Sequence, residues 1–279
     1  MVLASGFKET DFMNDYVRVA ILAVVQGIAE FLPISSSGHL VIIDELLRQG
    51  KEPIENEAMT LNIVLHIGTL GSILVVYFNR LKQVVLEADW RLCASIVLAS
   101  VPAGVIGICF KKKLEPMFES AWVAGCGLLV TATLLILSQW VRPGQFSERK
   151  LPWGIAFLVG CFQAVALVPG ISRSGSTISG GLLSGMQRES AGTFSFLIAI
   201  PAVGGAAFLD GLKLLKPGAA HAESIPTGAL VVGMVISFVV GIVALRLLLQ
   251  LISKQRLHYF GYYCLLAGSV TLLWKVLGH

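Results

Sequence analysis

Two stretches of the chain, 17–47 and 151–186, share an unusual layout. Each begins apolar, breaks at proline beside a serine-rich knot, and continues as a short leg of small residues. The second legs hold roughly 10–12 residues. At ~1.5 Å per residue they cover ~18 Å, which is too short for a ~30 Å hydrocarbon core. The first legs are longer and nearly span. Both stretches therefore read as re-entrant helical hairpins with the knot at the turn. Broken backbone of this kind is tolerated at membrane depth only when it is buried in protein or lines a wet cavity.

The rest of the chain supplies the surrounding protein. The segments 60–79, 92–110, 121–141, 191–209, 228–252 and 257–277 are each apolar and long enough to span. Aromatic residues such as Trp90, Trp122, Trp140, Tyr259 and Trp274 sit near their ends, as interfacial anchors do. Charged residues make up only 14 % of the 279 residues. An ordinary soluble protein has about 25 %, so lipid must serve as solvent for much of the exterior. A net charge of +4 is too mild to imply nucleic acid as a partner. The five cysteines lie in apolar segments without a CxxC pair and read as free thiols. The polar start of the chain does not read as a secretory signal, so insertion is expected through internal spans.

The two broken stretches also resemble each other. QGIAEFLPISSSGHL (26–40) aligns without a gap to QAVALVPGISRSGST (163–177), with six identities in fifteen positions. Chance in so biased a composition gives roughly one or two. Three spanning helices separate the hairpins, and an odd number of crossings inverts the second half. The expected fold is an all-α integral membrane protein with an inverted-topology repeat. Each half is a re-entrant helical hairpin plus three transmembrane helices. The chain 1–279 forms a single membrane domain, with a first repeat 17–141 and a second repeat 151–277. Proteins built this way place their sites where the broken helices meet. Lysine and arginine divide evenly between the two sides, so charge does not fix orientation. The acidic residues crowd the side of the termini, and the reading leans towards both termini outside.

Ionisable groups inside a membrane cost about 2.5–3.5 kcal/mol each on insertion scales and are functional candidates by default. Glu30, His39 and Arg173 are three such groups, and all lie around the knots. Arg173 sits among Ser172, Ser174, Gly175, Ser176 and Thr177 at the start of a short helix. A cation, hydroxyls and free helix N–H groups suit an anion, above all phosphate. The plainer reading is that Arg173 only pairs with Glu30. At the other knot, Ser35, Ser36 and Ser37 precede His39. Ser36 and His39 are three apart and share a face if a helix starts there, which makes an imidazole-activated hydroxyl, with His39 itself the alternative nucleophile. Gln26 and Glu30 lie on one helical face. Glu30 either orients His39 or holds a divalent cation such as Mg²⁺ beside the phosphate. Gln26 contributes an amide to the site or stitches the hairpin. His66 reads as packed among small residues, and His221, His258 and His279 fall in or near loops and ends.

At QGIAEFLPISSSGHL and PGISRSGSTISGGLLSG, followed by FSFLIAIPAVGGAA (194–207), the chain resembles a known family. This is the integral-membrane undecaprenyl-diphosphate phosphatases, also called bacitracin-resistance proteins, and the resemblance covers essentially the whole chain. It implies hydrolysis of a polyprenyl diphosphate to the monophosphate and inorganic phosphate, which recycles the lipid carrier for cell-wall synthesis. It implies a multi-pass protein of the bacterial inner membrane with an outward-facing site and a divalent cation, Mg²⁺ or Ca²⁺. It places Glu30, Ser36, His39 and Arg173 in catalysis, with Glu30 also at the metal. Gln26, Ser35, Ser37, Ser172, Ser174, Gly175 and Thr177 are expected to line the substrate. A homodimer is compatible with this reading. Two departures from the family pattern matter. Gln26 is the non-ionisable option in an acidic motif, and Ala29 stands where threonine is common. The rival reading is a transporter or flippase of an anionic polyprenyl lipid, since inverted repeats with broken helices also serve transport.

Overall fold

A computed structural model describes residues 5–40, 55–142, 144–214 and 225–277. Regular structure among the described residues is helical, with one isolated bridge between Phe146 and Met186. The long elements are α1 (Ser5–Ala29), α2 (Glu55–Val76), α3 (Phe78–Leu86), α4 (Trp90–Cys109) and α5 (Ala121–Gln139). They are followed by α6 (Trp153–Val165), α7 (Arg173–Leu183), α8 (Arg188–Leu214), α9 (Thr227–Ser253) and α10 (His258–Val276).

Side-chain caps open some of the helices. Asp89 accepts the Leu92 N–H at 3.1 Å to open α4, and Ser172 accepts the Gly175 N–H at 3.1 Å to open α7. Five helices among the described residues are long and apolar enough to cross a membrane. They contain Met59–Val76, Trp90–Cys109, Ala121–Gln139, Arg188–Leu212 and Thr227–Ser253. The sixth expected span, 257–277, is also helical, as α10. It carries His258, Lys275 and three tyrosines along its length. The outward faces bear Val97, Val105, Val243, Leu266 and Val270, all exposed, as lipid contact requires. The chain is an all-α, multi-pass membrane protein.

The second broken stretch, 151–186, holds two short helices. Its legs, α6 and α7, have 13 and 11 residues. At ~1.5 Å per residue neither crosses a ~30 Å core. The first hairpin differs in its first leg, because α1 begins at Ser5 and not near Val17. Its second leg is helical from residue 36 to residue 40, and the expected continuation to 47 lies outside the described residues. His221 and His279 also lie outside them.

Small residues set the helix crossings, as lipid-embedded packing favours. Gly160 of α6 lets the Ala99 carbonyl of α4 approach its backbone, and Gly268 of α10 does the same for Gly125 of α5. Serines stitch α2 to α9: Ser72 donates to the Phe238 carbonyl at 2.7 Å and Ser237 to that of Leu65 at 3.2 Å. In addition α1 packs along α9, α6 along α4, and α5 along both α7 and α10. The two bends are thus enclosed by protein on several sides.

Candidate active site

The bends are built alike. In the first, Ser35 Oγ accepts the Gly38 N–H at 3.4 Å and lies 3.3 Å from Ser37 Oγ. In the second, Ser172 Oγ accepts the Gly175 N–H at 3.1 Å and lies 3.3 Å from Ser174 Oγ. These are aligned positions of the two sequence stretches. The bends also touch. A Cβ on Gly38 would lie 3.3 Å from Gly170 Cα, and one on Gly175 would lie 3.3 Å from Pro33 Cβ. Thr131 of α5 anchors the second bend, donating to the Gly170 carbonyl at 3.1 Å and accepting the Ser172 N–H at 2.9 Å.

Glu30 is the centre of the polar cluster between them. It ends the first apolar leg, and its side chain is only 7 % exposed. Its Oε1 accepts Arg173 Nη2 at 2.6 Å, which joins the two hairpins through a charge-assisted contact. Its Oε2 accepts the Ser36 hydroxyl at 2.9 Å and Gln26 Nε2 at 3.1 Å. The expected Arg173–Glu30 pair therefore exists, but it uses only part of the guanidinium. Arg173 Nη1 and Gln26 Oε1 are buried without a hydrogen-bond partner. Buried polar atoms left open in this way have free capacity for a ligand or water. Arg173 also lies 5.9 Å over the Phe196 ring, which supports its charge.

Three expectations change here. Ser36 does not pair with His39, because its hydroxyl donates to Glu30. Glu30 does not orient His39. The imidazole Nδ1 lies 2.8 Å from the Ser35 carbonyl oxygen, and Nε2 lies 2.6 Å from the Tyr263 hydroxyl of α10. His66 is more than a packed residue. Its Nδ1 donates to the Asn62 carbonyl at 2.8 Å, and its Nε2 reaches to 3.7 Å from Glu30 Oε2. Sequence reasoning missed His66 and Tyr263. The one available signal was a histidine inside a spanning segment, since ionisable groups are expensive there.

The remaining expected residues shape the bends. The hydroxyls of Ser35 and Ser172 are capping groups, and the Gly175 N–H is taken by Ser172. Thr177 donates to the Arg173 carbonyl at 2.8 Å and shares a hydrogen bond with Ser195 at 2.5 Å. Ser37 and Ser174 are bonded to their capping neighbours. As placed, these groups hold Ser36 and Arg173 in position.

Oxygen donors suited to a hard cation are Glu30, Gln26 Oε1 and Ser36 Oγ. No group of three or more His, Cys, Asp or Glu side chains among the described residues could hold a metal. The donors fit a cation that takes most of its ligands from phosphate and water, since one carboxylate then suffices.

The cluster unites a carboxylate-bound hydroxyl with an arginine holding spare donors, between two bends of a membrane protein. Known proteins are similar to the chain over most of its length. A family model described as bacitracin resistance protein BacA matches residues 19–270. A protein of Rhodopirellula baltica called undecaprenyl-diphosphatase is 47 % identical over 261 residues, covering 94 % of this chain and 98 % of its own. Proteins of the same name from Parabacteroides distasonis and Bacteroides fragilis are 41 % and 39 % identical, each over more than nine-tenths of both chains. A match spanning both bends and the helices around them leaves one conclusion: the chain belongs to the bacitracin resistance protein BacA family.

Proposed function

We propose that the chain hydrolyses a polyprenyl diphosphate to the monophosphate and inorganic phosphate. The observation that carries the reading is Glu30 accepting the Ser36 hydroxyl at 2.9 Å while its other oxygen holds Arg173 at 2.6 Å. That arrangement pairs a nucleophile with a base and sets a phosphate clamp beside them. The relatives named undecaprenyl-diphosphatase support the substrate class.

The steps follow from the geometry. The prenyl tail stays in lipid, and the diphosphate enters between the bends. Arg173 Nη1 meets the terminal phosphoryl oxygens and offsets their charge. Ser36 Oγ attacks the terminal phosphorus and passes its proton to Glu30 Oε2. The bond from phosphorus to the bridging oxygen breaks, and polyprenyl monophosphate departs. Water then attacks the phosphoserine, phosphate leaves, and Ser36 Oγ regains its proton. Glu30 and Gln26 Oε1 would hold a divalent cation, which when bound would neutralise phosphate charge. Both nitrogens of His39 are engaged elsewhere, so Ser36 is the better nucleophile of the two.

The two halves are read as an inverted repeat. The pairing of α1 with α9, mirrored by α6 with α4, supports this, as do the matching contacts of the bends. The setting inferred is the bacterial inner membrane with the site facing outward, where the hydrolysis recycles a cell-wall lipid carrier and confers bacitracin resistance.

The test is phosphate release from polyprenyl diphosphate by detergent-purified protein, with and without EDTA. Release that EDTA abolishes is expected. No release, with lipid movement across reconstituted vesicles, would favour the transporter instead.

A further inference from the structure

Tyr263 lies 224 positions from His39 in sequence yet places its hydroxyl 2.6 Å from Nε2. The rings stack with centroids 5.6 Å apart and planes 16° apart. The partner on the other ring nitrogen decides the tautomer. A carbonyl oxygen can only accept, so His39 Nδ1, 2.8 Å from the Ser35 carbonyl, must carry the proton. Nε2 therefore holds the lone pair, and the Tyr263 phenol donates to it. The contact fixes the ring twice, by a hydrogen bond and by stacking.

α10 is itself fastened to the first bend and to α5. The neighbouring Cys264 thiol is fully buried and donates to the Pro33 carbonyl at 3.5 Å. Cys264 also clusters with Leu128 and Ala132 of α5. Tyr263 is thus presented by a helix that packing holds against the bend. Its ring is 43 % exposed on an apolar outer surface that includes Leu266 and Val270. Tyr263 thus lies between the first bend and that apolar surface.

We propose that Tyr263 is a positioning residue that acts through His39. It fixes the orientation of the imidazole that the Ser35 carbonyl holds as the Nδ1–H tautomer. The inference rests on the hydrolytic reading above. It deepens that reading by giving His39 a task other than activating Ser36: its Nδ1–H holds the Ser35 carbonyl of the turn that carries Ser36.

The test uses the full-length protein in detergent, with the variants Tyr263→Phe and Tyr263→Leu. The first keeps the ring and removes the donor, whereas the second removes both. kcat and KM for polyprenyl diphosphate are measured alongside thermal stability. ¹⁵N spectra of histidine-labelled protein report the His39 tautomer, assigned with His39→Gln. Tyr263→Phe should lower kcat about three- to tenfold, the size of one neutral hydrogen bond. KM and thermal stability should hold, while the His39 Nε2 resonance shifts as its donor is lost. An unchanged kcat with an unchanged Nε2 resonance overturns the proposal. So does a rise in KM alone, which would make Tyr263 a substrate contact, or a kcat loss that only tracks lost stability. Wild-type protein that releases no phosphate would overturn the hydrolytic reading and this role in turnover with it. A normal wild type beside an indifferent Tyr263→Phe would overturn the tyrosine's role alone.

Discussion

Glu30→Gln separates the two tasks that Glu30 performs. The substitution keeps the shape of the side chain and removes its charge. An amide cannot take a proton from Ser36, whose hydroxyl now lies 2.9 Å from Oε2. Loss of a positioned general base costs about 10²–10⁴-fold in rate, and kcat should fall within that range. The second effect is on stability. Glu30 and Arg173 side chains are 7 % and 16 % exposed and lie 2.6 Å apart. Removing one partner of a buried pair leaves the other uncompensated, at a cost of about 3–5 kcal/mol. The Phe196 ring and the residual exposure of Arg173 place the expected cost at the lower end of that range. Arg173→Met strands the carboxylate in the same way. The double variant Glu30→Gln/Arg173→Met removes both charges, so it should be more stable than the sum of the single losses predicts. Its activity should stay lost. Phosphate release and thermal unfolding in one detergent measure both quantities. Turnover by Glu30→Gln within threefold of wild type would refute the base. A double variant with simply additive losses would refute the coupled pair.

Three further outcomes follow from the same geometry. Ser36→Ala should lower kcat by about 10²-fold or more and leave no covalent phosphate after acid quench of a reacting sample, with thermal stability nearly unchanged. Gly127→Ala places a Cβ 2.8 Å from Gly170 Cα in the second bend, so the bend must shift. Stability should drop by about 1–3 kcal/mol, as for other overpacked sites, with a loss of kcat because that bend carries Arg173; thermal unfolding and phosphate release report the two effects. His66→Leu removes a group 3.7 Å from Glu30 but no base or clamp, so phosphate release should fall by less than about tenfold, well short of Glu30→Gln.

Local chemistry was legible in the sequence, and tertiary partnership was not. The bends could be located because proline, glycine and consecutive serines cannot extend an apolar helix there. The Ser36–His39 pair failed for a definable reason. Helical spacing puts residues three apart on one face, but it takes no account of the turn before Ser36. Ser35 has a positive φ of 70°, and Ser36 bonds back across the bend to Glu30, six residues earlier. Tyr263 and His66 reach the site from distant helices, and only packing could reveal them.

What the alignment did carry is the contrast between its two halves. Ser35 and Ser172 match in residue and in capping role, as do Gly38 and Gly175. The scaffold is repeated. Among the nine positions that differ are 30 and 167, 36 and 173, and 39 and 176: Glu against Leu, Ser against Arg, His against Ser. Glu30, Ser36 and Arg173 are the three groups joined at 2.6–2.9 Å between the bends. A strictly symmetric repeat would set two acids, or two arginines, against each other in a low-dielectric interior, where like charges repel strongly. Bringing two similar bends into contact around a charge therefore requires that they differ at those positions. Ser36 and Arg173, an aligned pair that breaks the repeat, are the side chains proposed to attack and hold the phosphate.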